Sequence, residues 1–417
     1  MKELARRIAL VSVFLAGGAG AAGAQDLVIT NARIIVGNGE VIERGAVVVR
    51  SGRIASVGAA PAAAGGTAID AQGMTLLPGY VDAHRHPIDG DPAVWLKTRA
   101  AASMQEYLDA GFTTVLSAGD APEPLLQLRR EIEKGAVKGP RLVIAGRAPL
   151  ARPLPVSGPP MDPARSDRSR APRTQTAAAV PADQIRGAVA KWARLGVDAI
   201  KTNMLATPGG PEIEALKIVV AEAKKNGIAT ITHAVTVLDT LAAVEAGTDR
   251  LVHTPHIGRL DEDAAALQKI AKAGIPMTST LAVFIPHFGA DNVPLFRDRQ
   301  PFPWAAVSSG GQGPINARLL SDAGVTYGYG TDTDWHPREA LADELRALSL
   351  MFSHRDLVTI LTRNAAVAAL RERDAGTIEA GKFGDIVMLD GNPLDGYWHL
   401  LNPKVVIKGG IVMVDKR

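Results

Sequence analysis

The chain has 417 residues, is 47% hydrophobic and 21% charged, and carries 46 Lys and Arg against 43 Asp and Glu, a formal net of +3. These are ordinary globular values for a chain long enough to bury a large core, which excludes disorder over most of its length. It contains no cysteine, so disulfides, thiolate metal ligands, a cysteine nucleophile and a lipid-modified N-terminal cysteine are all excluded.

Residues 1–24 read as an export leader: Lys2, Arg6 and Arg7 form a basic stretch, Ile8 to Ala16 an apolar one, and Ala22-Gly23-Ala24 a small-residue cleavage site before Gln25. The expected location is periplasmic or secreted. The apolar run is too short to span a bilayer, so no membrane anchor is expected. The leader holds a net of +2 (Lys2, Arg6, Arg7 against Glu3), which leaves about +1 afterwards and gives no argument for a nucleic-acid partner.

Residues 25–75 carry short alternating strands such as DLVITNARII and GAVVVRSGRIASVG, the first part of an expected small β-sandwich. From 76 to 375, strand-like apolar runs alternate with helix-like stretches. Eight strands are predicted, over 76–84, 111–119, 141–146, 197–202, 228–234, 250–254, 275–283 and 325–333. The intervening helices, over 182–196, 237–247 and 262–274 among others, stop at or near a glycine. Eight β-then-α units in a row predict an α/β fold, a closed (β/α)8 TIM barrel. An open doubly wound sheet is the weaker reading, because no glycine-rich phosphate loop follows the first strand. Residues 148–181 interrupt the pattern with a Pro/Arg/Ser/Ala-rich insert after the third strand, either a lid over the barrel mouth or a disordered loop. Residues 376–417 return to short strands, the second part of the sandwich.

The chemistry-bearing residues gather at predicted strand ends. His84 and His86 form an H-x-H closing the first strand, and alternation turns both imidazoles to one side. Lys201 lies near the end of the fourth strand, His233 ends the fifth, His253 the sixth and Asp332 the eighth. Each alone is unremarkable: a lone strand histidine is usually a satisfied core or surface residue, and a lone GTD is usually a turn. Together they fall where barrel enzymes keep their catalytic groups, and imidazoles with carboxylate suit Zn(II) or a similar divalent ion.

With LLPGYVDAHRHP, GVDAIKTN, ITHA, LVHT, GTDTD and the closing NAAVAALRERDAGTIEAGKFGDIVMLDGNPL, the chain resembles the amidohydrolase superfamily over residues 26–417, in its imidazolonepropionase-like and Xaa-Pro dipeptidase-like branch. The resemblance implies two divalent metal ions, most simply zinc, with His84, His86 and Asp332 on the first and His233 and His253 on the second. It further implies that Lys201 is carboxylated and bridges them. The implied activity is hydrolysis of an amide, peptide-like or cyclic amide C–N bond of a small-molecule substrate by a metal-bridged hydroxide, with Asp332 as the catalytic proton acceptor and donor. The sequence departs from these relatives after the third strand, which continues AGRAPLARPLP without their Gly/His-rich run, and after the fifth, where HAVTV replaces H-A-H. Substrate preference therefore does not carry over.

His256, Asp334 and His336 are candidate substrate contacts, each weighed against a plain surface position. Arg85 alternates away from its histidine neighbours, toward the barrel–helix layer. Arg152, Arg165, Arg168, Arg170 and Arg173 of the insert read as a solvated surface rather than a carboxylate clamp, and His287, His354 and His399 as structural. Two alternatives remain open: ester, carbamate, lactone or phosphotriester hydrolysis at the same metals, and a non-catalytic periplasmic binding protein. Homo-oligomerisation stays open.

Overall fold

The computed structural model describes residues 26–58, 66–152, 173–284 and 304–417, with side chains from 311 onward in the last stretch. The leader and residues 153–172 of the insert lie outside the described residues.

Two eight-stranded sheets organise the chain. The first draws on both termini: β1 (Leu27–Ile35), β2 (Val41–Arg50), β3 (Arg53–Gly58), β4 (Thr67–Asp70) and β5 (Thr75–Pro78) from one end, and β14 (Ile386–Leu389), β15 (Val405–Lys408) and β16 (Ile411–Asp415) from the other. The ends join where β5 pairs antiparallel with β14. Along these strands alternate residues face opposite cores, as the period of two requires. Leu76, Ile386, Met388, Val405 and Ile407 enter a separate apolar core of this sheet. Their neighbours Leu77, Val387, Leu389 and Val406 pack into the main core of the barrel.

The second sheet runs in strict chain order through β6 (Tyr80–Arg85), β7 (Phe112–Ser117), β8 (Arg141–Arg147), β9 (Ala199–Asn203), β10 (Ala229–His233), β11 (Arg250–Val252), β12 (Met277–Thr278) and β13 (Tyr327–Gly328). All its ladders are parallel. Hydrogen bonds from Ala83 N to Tyr329 O (3.1 Å) and from Thr331 N to His84 O (3.0 Å) bring the last strand back to the first. The fold is the (β/α)8 barrel expected.

The helices between the strands are α1 (Pro92–Thr98), α2 (Ala100–Asp109), α3 (Pro122–Glu133), α4 (Ala182–Leu195), α5 (Glu212–Lys225), α6 (Val237–Ala246), α7 (Ala264–Ala273), α8 (Trp304–Asp322) and α9 (Pro337–Leu348). Their inward faces keep helical spacing, as with Ile185 and Val189 on α4 or Ala215, Leu216, Val219 and Ala223 on α5. The left-handed glycines that end α4, α6 and α7 stand where expected, at φ 88°, 79° and 64° for Gly196, Gly247 and Gly274.

Two expectations change. The strand predicted over 76–84 is two strands, β5 in the terminal sheet and β6 in the barrel, separated at Gly79. Arg173 is not a solvated insert arginine: its guanidinium grips both oxygens of Asp239 at 2.7 and 2.6 Å. Asp239 is fully buried, and a buried carboxylate demands a cation and hydrogen bonds; it also accepts from Ala206 N at 2.9 Å. The two described roots of the insert pair with each other as well, through Arg152 N to Ala178 O at 2.8 Å. No helix among the described residues is long and apolar enough to cross a membrane.

Candidate active site

The site forms where β6 meets the end of the last strand. Below it lies Asp82, a buried carboxylate that accepts from His84 N (3.1 Å) and from the Thr331 amide and hydroxyl (3.3 and 2.8 Å). The Thr331 and Asp332 amides in turn both donate to His84 O, at 3.0 and 2.7 Å. The backbone that closes the barrel therefore also fixes His84 against Asp332. Arg85 points outward as expected, bonded to the Tyr107 hydroxyl of α2 (2.8 Å), to the Thr331 and Thr333 hydroxyls and to Trp335 O.

The polar atoms then converge. His84 Nε2 is 3.0 Å from Asp332 Oδ1 and 3.2 Å from Lys201 Nζ. His86 Nε2 reaches the same Asp332 oxygen at 2.9 Å. On the far side His233 Nδ1 meets His253 Nε2 at 2.7 Å, and His253 Nδ1 lies 3.8 Å from Asp332 Oδ2. All six residues singled out at the strand ends are thus brought together. One donor atom each from His84, His253 and Asp332 falls within a 4.8 Å spread, the arrangement of ligands about an ion.

His253, Thr280 and Asp332 hold left-handed backbone conformations, with φ 81°, 50° and 56°. Such strain costs ~1–3 kcal/mol per non-glycine residue and persists only where the surroundings impose it. Here it turns each chain off its short strand just as the side chain must face the barrel axis.

The electrostatics follow from burial. His84 is wholly inside, and burial, reinforced by the Lys201 cation, pushes its imidazole down to about 3; the same desolvation holds His253 well below its ordinary value. Both are neutral, with a lone pair to give. Lys201 is 3% exposed, and burial drives its ammonium down to about 7. Burial would raise the Asp332 carboxyl, but the hydrogen-bonding imidazoles around it outweigh that and hold it well below the usual range. His86 is the exception: burial would lower it, yet it sits between Asp120 and Asp332 at 2.9 Å each, and the two carboxylates push it up to about 9.

The sequence reading missed four participants. Asp120, at the end of SAGD after β7, takes the second nitrogen of His86 and is itself fixed by the Ser117 hydroxyl at 2.7 Å. Thr280 holds His253 Nδ1 at 2.8 Å. Asp82 is the third, and Arg147, beside Lys201 in the β8–β9 register, the fourth. A carboxylate just past a predicted barrel strand was the available signal for Asp120. Of the proposed substrate contacts, His256 is buried with its ring centre 4.0 Å from that of Phe284, which in turn lies edge-on to His253 at 5.5 Å. Asp334 is exposed, and His336 caps α9 by accepting from Arg338 N at 3.3 Å.

Residues 75–413 match the amidohydrolase family. The chain belongs to the amidohydrolase family. Over 394 residues, 86% of either protein, it is 26% identical to the imidazolonepropionase of Thermoanaerobacter pseudethanolicus. A Xaa-Pro dipeptidase crystallised with methionine in its active site superposes with TM-score 0.72 at 22% identity, over 93% of this chain and 99% of that one. Molinate hydrolase superposes with TM-score 0.70 at 21% identity, over 94% and 95%. This amidohydrolase is accordingly a metal-dependent hydrolase of carbon–nitrogen bonds that acts on small molecules, and the binding-protein alternative falls away. The cluster of His84 and His253, neutral imidazoles, with the ionised Asp332 carboxylate suits a divalent metal ion.

Proposed function

We propose that this amidohydrolase binds two zinc ions and cleaves an amide, peptide-like or cyclic amide bond. His84, His86 and Asp332 hold one ion and His233 and His253 the other, with a carboxylated Lys201 between them. The observation that carries this reading is Lys201: its amine is buried 3.2 Å from His84 Nε2, and among the described residues no carboxylate lies within ion-pair distance of it. A buried, partly neutral amine is a nucleophile for carbon dioxide. Its nitrogen bonds to the carbon, one N–H proton departs, and the product is a carbamate anion able to reach two cations.

Bound divalent ions supply Lewis acidity, polarising the scissile carbonyl and acidifying water toward ~7. The chain's own residues then move the proton. Asp332 Oδ1 is already engaged by His84 and His86, so Oδ2 is the oxygen left to take a proton from the attacking water. From there it passes to the leaving nitrogen, as a general base turned acid. Export to the periplasm or medium is part of the proposal, supported by the leader composition and the Ala22-Gly23-Ala24 site.

Metal analysis of gently purified protein is expected to find two divalent ions per chain. Lys201→Ala should lose both metal and turnover, with partial recovery in bicarbonate or short-chain carboxylates. Full activity in a metal-free preparation would overturn the reading. A panel of N-acyl amino acids, dipeptides, cyclic amides, aryl esters and phosphotriesters tests the bond; turnover confined to the last two classes would refute C–N cleavage.

A further inference from the structure

Beside Lys201, on the mouth of the barrel, a cavity of about 500 Å³ opens between the ends of β8 and β9. Its walls are largely apolar: Ala148, Leu150 and Ala151 from the first root of the insert, Ala177 from the second, and Leu205 beyond β9. At its inner edge stands Arg147, in register with Lys201. We propose that this cavity is the substrate subsite, taking an aryl or branched aliphatic group whose carboxylate is bound by Arg147; the proposal rests on hydrolysis at the neighbouring Lys201 site.

Arg147 is pre-set for such a role. Its Nε donates to Gly119 O at 2.5 Å, and its own carbonyl accepts from the Trp192 indole at 2.8 Å. Gly119 itself holds a left-handed backbone at φ 112°, and the Arg147 side chain closes against it, with Nε 2.7 Å from where a Cβ would stand. One backbone contact, on Nε, orients the guanidinium without neutralising it. Among the described residues no carboxylate lies within ion-pair distance of it. The other charged residues of the lining are accounted for. Arg173 is spent on Asp239. Glu212, 3% exposed, accepts from the Thr207 hydroxyl and amide at 2.7 and 3.3 Å, so its charge braces the loop after β9.

An uncompensated guanidinium next to an apolar chamber recognises an amphiphilic anion: the carboxylate takes charge-assisted hydrogen bonds, and the apolar body leaves water. The chamber also lies within the 300–1,000 Å³ or so typical of small-molecule clefts. The roots of the insert, not the barrel strands, supply most of its apolar wall, so this subsite is a property of this chain's own insertion.

Calorimetric titration of the metal-loaded protein with 3-phenylpropanoate and with 3-phenylpropanamide tests this. The acid should bind about tenfold or more tighter than the amide, the contribution of a charge-assisted pair. Arg147→Met should remove that preference with metal content unchanged, Arg147→Lys should restore part of it, and Leu205→Trp should weaken both probes by filling the chamber. Equal binding of acid and amide by the wild type overturns the subsite. So does a preference that survives in Arg147→Met, which would place the carboxylate on the metals. Because binding is read without turnover, loss of the acid preference in an active hydrolase refutes only the subsite, whereas probe binding without C–N cleavage refutes only the reaction.

Discussion

Asp120 shows how a residue that need not touch a substrate can govern this site. It holds His86 Nδ1 at 2.9 Å, which fixes the ring so that Nε2 faces Asp332. Losing such an outer carboxylate lowers metal affinity ~10–100-fold, and Asp120→Asn is expected to do so in competition with a chelator. The pH dependence has a defined sign. His86 is raised to about 9, so as the ligand proposed above it must shed a proton below that pH before binding, and apparent metal affinity should then rise with pH up to about 9. Removing Asp120 takes away one of the two carboxylates that hold the proton. The deficit of Asp120→Asn should therefore shrink as pH falls; a deficit independent of pH would mean that Asp120 acts on orientation alone. The strand-end histidines, Lys201 and Asp332 were legible in the sequence because imidazole and amine are rare residue types at such places. Asp120, Thr280 and Arg147 were not, because an aspartate, a threonine or an arginine after a strand is ordinary until the fold supplies its partner.

At the scale of elements, the strands that carry the site are shorter than their sequences suggest. The runs 275–283 and 325–333 are apolar enough to continue, yet β12 and β13 end at Thr278 and Gly328. Beyond these ends the chain bends, with Thr280 and Asp332 in the left-handed region, and hydrophobic patterning carries no record of that bend. Something must hold it. Glu344 of α9, fully buried, accepts from the Leu281 and Ala282 amides at 2.9 and 2.7 Å, pinning the loop immediately after Thr280. Glu344→Ala orphans both amides at ~1–3 kcal/mol each, so a loss of about 2–6 kcal/mol is expected from urea unfolding. Metal affinity should drop as well, since Thr280 would no longer hold His253. If stability falls while metal binding stays intact, the loop is kept in place by something other than Glu344.

For the whole molecule, the decisive question is whether barrel and terminal sheet are one cooperative unit. Binary patterning revealed both, and residues 76–78 were read as barrel because LLP is as apolar as the strand that follows. In the structure that segment is the hinge of the architecture. β5 pairs with β14 while β6, beginning two residues later, opens the barrel. The contacts across the junction are of three kinds. Leu77, Val387, Leu389, Val406 and Val414 belong to the same apolar core as the barrel strands. Arg141 at the start of β8 grips Asp385 at 3.1 and 3.3 Å, and that carboxylate also accepts from Gly409 N at 2.7 Å. The Tyr80 hydroxyl donates to Leu400 O at 3.1 Å. A domain boundary sparse in contacts would let the two parts melt separately, whereas a shared apolar core makes each the other's support. Calorimetric melting of the protein should therefore show one transition. Asp385→Ala should lower that transition without splitting it, because it leaves Arg141 without its carboxylate and Gly409 N without an acceptor. Truncation before Val405 strips β15 and β16 from the barrel core and should abolish soluble expression. Two resolved transitions in the wild type, or a soluble, metal-binding chain lacking residues 405–417, would show that the barrel stands without its sheet.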